Sequence, residues 1–183
     1  MPERSTSTWG SLPDMMLGIA AARPERVMLR HWEQQAWQAT TWRRFAERVA
    51  GLAAGLRAAG VAPGDRVLLV SENRPEFLIS DVAIMAIGAI TVPTYVTNTV
   101  ADHAHILGDC GARAAIVSTA ALAERVAAAA ALSGGLDLIV GMEGAPPAPT
   151  GARALSYAEL EAGPGDLPLL MAEAAQIPAG RLA

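Results

Sequence analysis

The 183-residue sequence predicts an α/β fold: parallel-sheet βαβ units preceded by a short β-hairpin. Three observations predict it. Four short runs, Arg66–Ser71, Ala89–Val92, Ala114–Ser118 and Leu136–Val140, are largely apolar and rich in β-branched residues. Continuity rather than alternation marks strands that are buried on both faces, as in a parallel sheet. Segments with helical periodicity separate these runs, and strand–helix alternation at this spacing implies right-handed parallel crossovers. Turn residues and helix caps fall at the joints.

Residues 1–25 read as an N-terminal extension, 26–165 as a partial α/β domain and 166–183 as a tail. In the extension, Met15–Ala22 is apolar but follows Pro13 and Asp14 rather than a basic region, which argues against a secretory signal. Arg26–Trp32 and Ala36–Thr40 are β-favouring runs on either side of Glu33, Gln34 and Gln35, and they predict the hairpin. Thr41 then caps a helix over Trp42–Ala59, where Phe45, Val49, Leu52 and Leu56 form an apolar stripe and Gly60 supplies the stop. The turn Val61–Asp65 leads into the first parallel strand, Arg66–Ser71.

Asn73 and Pro75 start a helix that runs through Phe77, Ile84 and Ile87 to Gly88, and Ala89–Val92 is the second strand. Thr99, with Asp102 three residues on, starts a helix over Val100–Asp109. The third strand, Ala114–Ser118, is followed by an alanine-rich helix over Ala120–Leu132 that stops at Gly134 and Gly135. Leu136–Val140 is the fourth strand, and Gly141–Gly151, with Pro146, Pro147 and Pro149, is a loop. Ser156 with Glu159 reads as a capping box, and beyond Gly163 the pattern weakens into the tail.

Composition excludes several classes. Hydrophobic residues make up 52% of the chain and mean hydropathy is +0.29, yet the longest central uncharged run, Val82–Ala101, is broken by Gly88 and Pro93 and is too short in apolar residues to span a bilayer. A net charge of −4 without a basic cluster argues against nucleic acid as a partner. The single Cys110 cannot form an internal disulfide and fits a reducing cytoplasm; it reads as a small buried apolar residue. All 14 basic residues are arginine. Within these residues, a phosphate-loop lysine and a Schiff-base lysine are therefore excluded.

Asp102, His103, His105, Asp109 and Cys110 are all possible metal ligands. On a helix, however, residues two apart point about 200° away from one another, so His103 and His105 are poorly placed to chelate one ion together and read as solvated or capping side chains. His103 and Cys110 share a face but stand about two turns apart, too far for a base and its nucleophile. No catalytic and no metal-binding residue is assigned. The loop Thr94–Thr99 remains, because it follows the carboxyl end of a strand, where open α/β sheets place ligands. Its Tyr95, Thr97 and Asn98 offer uncharged donors and acceptors, although ordinary strand-to-helix turn chemistry also explains them.

The stretch TTWRRFAERVAGLAAGLRAAGVAPGDRVLLVSENRPEFLISDVAIMAIGAITVPTYVTNT resembles the N-terminal part of adenylate-forming enzymes, the AMP-binding acyl-CoA synthetases. Thr41, Gly60, Pro63-Gly64-Asp65, Val67, Asn73, Gly88-Ala89 and Val92-Pro93 carry the likeness by their order, from about Trp37 to Ser118. PTYVTNTVADHAHIL followed by DCGARAAIVS is most similar to bacterial long-chain fatty acid–CoA ligases. The resemblance implies a two-step ligation that uses ATP, Mg²⁺ and coenzyme A in a complete enzyme, with a fatty acid as substrate. It places Tyr95, Thr97 and Asn98 near the acyl or pantetheine channel. The family's Ser/Thr/Gly phosphate loop, adenine motif, ribose aspartate and lid lysine match no position here, so no catalytic or cofactor-binding residue is carried over, and this chain alone is expected to bind no cofactor and to be inactive. A second expectation is a catalytically dead α/β binding module of the same descent. A cytoplasmic location, with peripheral membrane contact open to the complete enzyme, and self-association through exposed apolar surface complete the reading.

Overall fold

The computed structural model describes residues 9–180. The first element is a helix, α1 (Leu12–Ala22), followed by an antiparallel hairpin of β1 (Val27–Glu33) and β2 (Ala36–Thr41). The two-residue turn Gln34–Gln35 has φ of 50° and 61°, the doubly left-handed geometry that matches the twist of a tight hairpin. Helix α2 (Trp42–Ala58) starts where Thr41 Oγ1 accepts from the Arg44 amide at 3.2 Å, and Gly60, with φ of 100°, ends it.

Five strands then form one parallel sheet: β3 (Arg66–Val70), β4 (Ile90–Thr94), β5 (Ala114–Val117), β6 (Leu138–Gly141) and β7 (Arg153–Ser156), in the order β4-β3-β5-β6-β7. Helices α3 (Pro75–Ala86), α4 (Val100–Cys110) and α5 (Ala120–Leu132) connect the first four of them, and α6 (Tyr157–Glu161) and α7 (Leu167–Ala174) follow the last. The alternating pleat divides the apolar strands between two cores. Val67, Leu69, Ile116, Leu138 and Val140 face α1, α2, α3, α6 and α7. Leu68, Val70, Ala115, Val117 and Ile139 face α4 and α5. The step from β3 to β4 runs opposite to the later ones, so right-handed crossovers put α3 on one face and α4 and α5 on the other.

Three elements lie where the sequence reading assigned none. Within the stretch read as an extension, Ser11 caps α1 by accepting from Asp14 N at 3.3 Å, and Leu17 and Ala20 are buried against the first core. Within the stretch read as a tail, Asp166 caps α7, whose Leu170 and Ala174 join the same core. Ser11 Oγ donates to Ala174 O at 3.2 Å and ties the two helices together. The third is β7, a four-residue edge strand with one neighbour, too short to show periodicity in sequence.

Helices α2 and α6 approach with backbone contact. A Cβ placed on Gly51 would lie 2.4 Å from Glu161 O, and one on Gly55 would lie 2.2 Å from Leu160 O. Beside this contact, Arg48 donates to Glu161 at 2.5 and 2.9 Å and to Glu76 of α3 at 3.2 Å, joining three helices through groups that are mostly out of water. No helix among the described residues is long and apolar enough to cross a membrane.

Candidate functional site

The reversal of strand order falls between β3 and β5, and open α/β sheets bind ligands outside the carboxyl ends of the strands at such a point. Here that crevice is bridged. Ser118, buried just after β5, donates through Oγ to Glu72 Oε2 at 2.5 Å, and Glu72 directly follows Ser71 at the end of β3. Ser71 Oγ donates to the Glu72 carbonyl at 2.9 Å, fixing the turn. The Ser118 hydroxyl holds the exposed Glu72 carboxyl below the ordinary carboxylate range, so it stays ionised and oriented across the switch point.

Next to this bridge runs the loop between β4 and α4. It folds as a turn, Asn98 N donating to Tyr95 O at 3.1 Å. A capping box then starts α4: Thr99 N donates to Asp102 Oδ2 at 2.8 Å and Asp102 N to Thr99 Oγ1 at 3.3 Å. The Thr99 amide and hydroxyl keep the Asp102 carboxyl low. From α5, Arg125 Nη1 donates to Val96 O at 2.8 Å and to Asn98 O at 3.1 Å, holding the loop from beneath. The loop's exposed groups are thus displayed from a fixed backbone rather than from a free strand of chain.

Tyr95 is 79% exposed, Thr97 is exposed and Asn98 is half-buried. All three stand on this one loop at the carboxyl end of the sheet, as the sequence placed them. His103 and His105 are not alike. His105 is exposed on α4, whereas His103 is 0% exposed. The expectation of a solvated or capping His103 is therefore corrected: Leu107 lies four residues further on, one turn along the buried face, and that spacing was the available signal. His103 Nδ1 stands 3.5 Å from Thr94 Oγ1, and Nε2 is buried without a partner. Burial, then the nearby Arg125, lower its pKa against a weaker opposing pull from Asp102.

Glu72, Ser118 and Arg125 also escaped sequence reasoning. The first two could be found only from the strand order, which no local pattern encodes; Arg125 acts on carbonyls and leaves no motif. Cys110 is a half-buried free thiol packed at the edge of the second core. Among the described residues no three His, Cys, Asp or Glu side chains gather to hold a metal ion. A cleft of about 350 Å³ opens elsewhere, lined by Ala54, Ala58, Leu155, Leu160 and Pro164, and includes none of the loop residues. This arrangement can display hydrogen-bonding groups beside a fixed carboxylate, but it supplies neither a phosphate cradle nor a base and nucleophile in contact.

A family model described as "AMP-binding enzyme" matches residues 19–168. The long-chain-fatty-acid–CoA ligase FadD15 of Mycobacterium tuberculosis is 36% identical over 104 residues, 57% of this chain and 17% of that protein. A feruloyl-CoA synthase of an Amycolatopsis species is 40% identical over 112 residues, 61% of this chain and 22% of that protein. The uncharacterized protein Rv1549 of M. tuberculosis is 33% identical over 111 residues, which are 61% of each chain. The crystal structure of a benzoate CoA ligase from Burkholderia xenovorans superposes with a TM-score of 0.68 at 22% identity, over 94% of this chain and 30% of the other, a likeness of fold. The chain therefore spans about a fifth of the curated ligases it matches, at 17% and 22% of their lengths.

Proposed function

Because the chain belongs to the AMP-binding enzyme family, we propose that it is the N-terminal portion of an ATP-dependent acyl-CoA ligase acting on a long-chain fatty acid. The observation that carries this reading is the family match over residues 19–168, which takes in the whole parallel sheet from Arg66 to Ser156. In the complete enzyme the fatty acid carboxylate attacks the α-phosphate of ATP and releases pyrophosphate, and the thiol of coenzyme A then displaces AMP from the acyl-adenylate. ATP, Mg²⁺ and coenzyme A are assigned to the complete enzyme and not to these residues, which contain no lysine to meet a polyphosphate. The role left to this chain is structural and positional: it builds the sheet, and its Tyr95–Asn98 loop forms one wall of the acyl or pantetheine channel. The lone cysteine supports a cytoplasmic location.

The acid is the finer part of the proposal, since an aromatic-acid ligase is as similar as a fatty-acid ligase. The test is pyrophosphate release by the full reading frame that contains this sequence, given fatty acids of graded length and ferulate. Fastest turnover with a long-chain acid, with Tyr95→Ala altering the KM for acid or coenzyme A more than the melting temperature, supports the proposal. Preference for ferulate removes the fatty acid assignment, and silence with every acid removes the ligase. A second reading, a catalytically dead binding module of the same family, draws support from the match to the uncharacterized protein Rv1549, where similar shares of both chains align. A stop codon just downstream of Ala183 would favour it.

A further inference from the structure

The proposed function does not use His103, the one imidazole that the fold takes wholly out of water. It shares the buried face of α4 with Leu107, which belongs to the apolar second core with Val70, Val117 and Val126, and α4 packs there against α5. A neutral imidazole is tolerated there, with Nδ1 at the Thr94 hydroxyl and Nε2 bare. A protonated one is not, because it carries a second N–H with no acceptor and a positive charge in a low-dielectric setting. The charged groups acting on the ring are Arg125, from α5, and Asp102, the preceding residue of its own helix. From β4 the hydroxyl of Thr94 meets the ring. Asp102 is already committed to the capping box with Thr99, and Arg125 to the carbonyls of Val96 and Asn98.

We propose that His103 and Arg125 form a proton-operated latch on the Tyr95–Thr99 loop, closed while His103 is neutral and released when it takes up a proton. Protonation sets two cations against each other. The conflict is relieved either by Arg125 letting go of Val96 O and Asn98 O or by the imidazole leaving the core, and both routes free the same loop. Asp102, held by the Thr99 amide and hydroxyl, cannot turn to neutralise the new charge without breaking the cap of α4. The latch lies within this chain and holds whether or not the ligation reading does.

The direction follows from linkage. Released His103 titrates near an ordinary histidine pKa of about 6.5, and latched His103 lower, so the released population grows about tenfold per pH unit below that value until the latched form protonates. The experiment is amide hydrogen exchange of residues 95–100 in the whole chain between pH 7.5 and pH 5, after correction for intrinsic exchange. Expected is a rise that begins below about pH 6.5, climbs by at most about tenfold per unit and levels off once the latched form also protonates, confined to the loop and the first turn of α4. His103→Leu should flatten the profile, and Arg125→Met should leave the loop fast at every pH. Equal pH response in the wild type and His103→Leu overturns the proposal, as does opening spread evenly over the sheet. A profile in Arg125→Met that still steepens like the wild type overturns the role of Arg125.

Discussion

Replacing Gly55 by alanine sets two effects of opposite sign against each other. Gly55 sits inside α2, where alanine is favoured over glycine by about 1 kcal/mol. The new Cβ, however, would lie 2.2 Å from Leu160 O and 2.8 and 2.9 Å from Leu160 C and Cα. These are backbone atoms of α6, which cannot rotate aside, so α6 must retreat by more than an ångström. That movement unseats buried Leu160 and Tyr157 and stretches the Arg48–Glu161 bridge. Overpacking of this kind costs typically 1–3 kcal/mol, and here the upper part of that range applies because the obstacle is main chain. The net expectation is a loss of about 1–2 kcal/mol, a melting temperature lower by roughly 5 °C for a chain of this size. Gly108→Ala is the internal control: it too lies in a helix, α4, and its Cβ would meet nothing within 4 Å. It should raise stability by about 0.5–1 kcal/mol. Thermal and urea unfolding followed by circular dichroism at 222 nm measure both. A Gly55→Ala chain as stable as the wild type, or as Gly108→Ala, refutes the claim that the α2–α6 contact is made by backbone.

Arg48→Met strands Glu161, whose side chain keeps only 17% of its exposure, while Glu76 retains Arg74 at 2.9 Å; the change should cost about 2 kcal/mol, discounted from the fully buried case, and adding Glu161→Gln should recover part of it in urea unfolding. Burial raises the pKa of Asp81, so the fold favours its protonated form and loses stability as pH rises through the carboxylate range; Asp81→Asn should therefore raise the melting temperature at pH 7 and not at pH 4. The edges of the sheet, β4 and β7, have one neighbour each, and Trp32 and Trp37 stand 61% and 67% exposed on the hairpin. The isolated chain should self-associate, which light scattering after size exclusion decides against a clean 18.9 kDa monomer.

Where one physical signal dominated, the sequence was readable. Val67–Val70 and Ala114–Val117 are apolar throughout because both faces are covered, and Thr41, Thr99 and Ser156 cap the helices they precede. The hairpin needed two β-favouring runs and a polar turn, and it had them. What escaped had weaker or non-local causes. Helix α1 carries a Ser11–Asp14 cap and Pro13, but a mostly apolar composition hides its periodicity. β7 owes its strand state to pairing with β6, which its own residues do not write; α7 carries an Asp166 cap and Pro168 in its first turn, but its eight residues are too short and too apolar to show periodicity. Of the site, the position of Tyr95, Thr97 and Asn98 was legible because a strand end precedes them. The Glu72–Ser118 bridge was not, since its partners stand 46 residues apart and meet only through strand order.

As the proposed N-terminal portion of an acyl-CoA ligase, these residues are expected to support the fold and to carry no adenylation chemistry of their own. Pyrophosphate release by the purified 183-residue chain, with ATP, Mg²⁺ and a panel of fatty acids, tests it most directly. Release should be no faster than a boiled control, because the sequence holds no lysine and the described residues include no phosphate-cradling loop to meet the polyphosphate. Acid-dependent release that follows the chain through successive purification steps, and that is lost when Tyr95 or Glu72 is replaced, would contradict it.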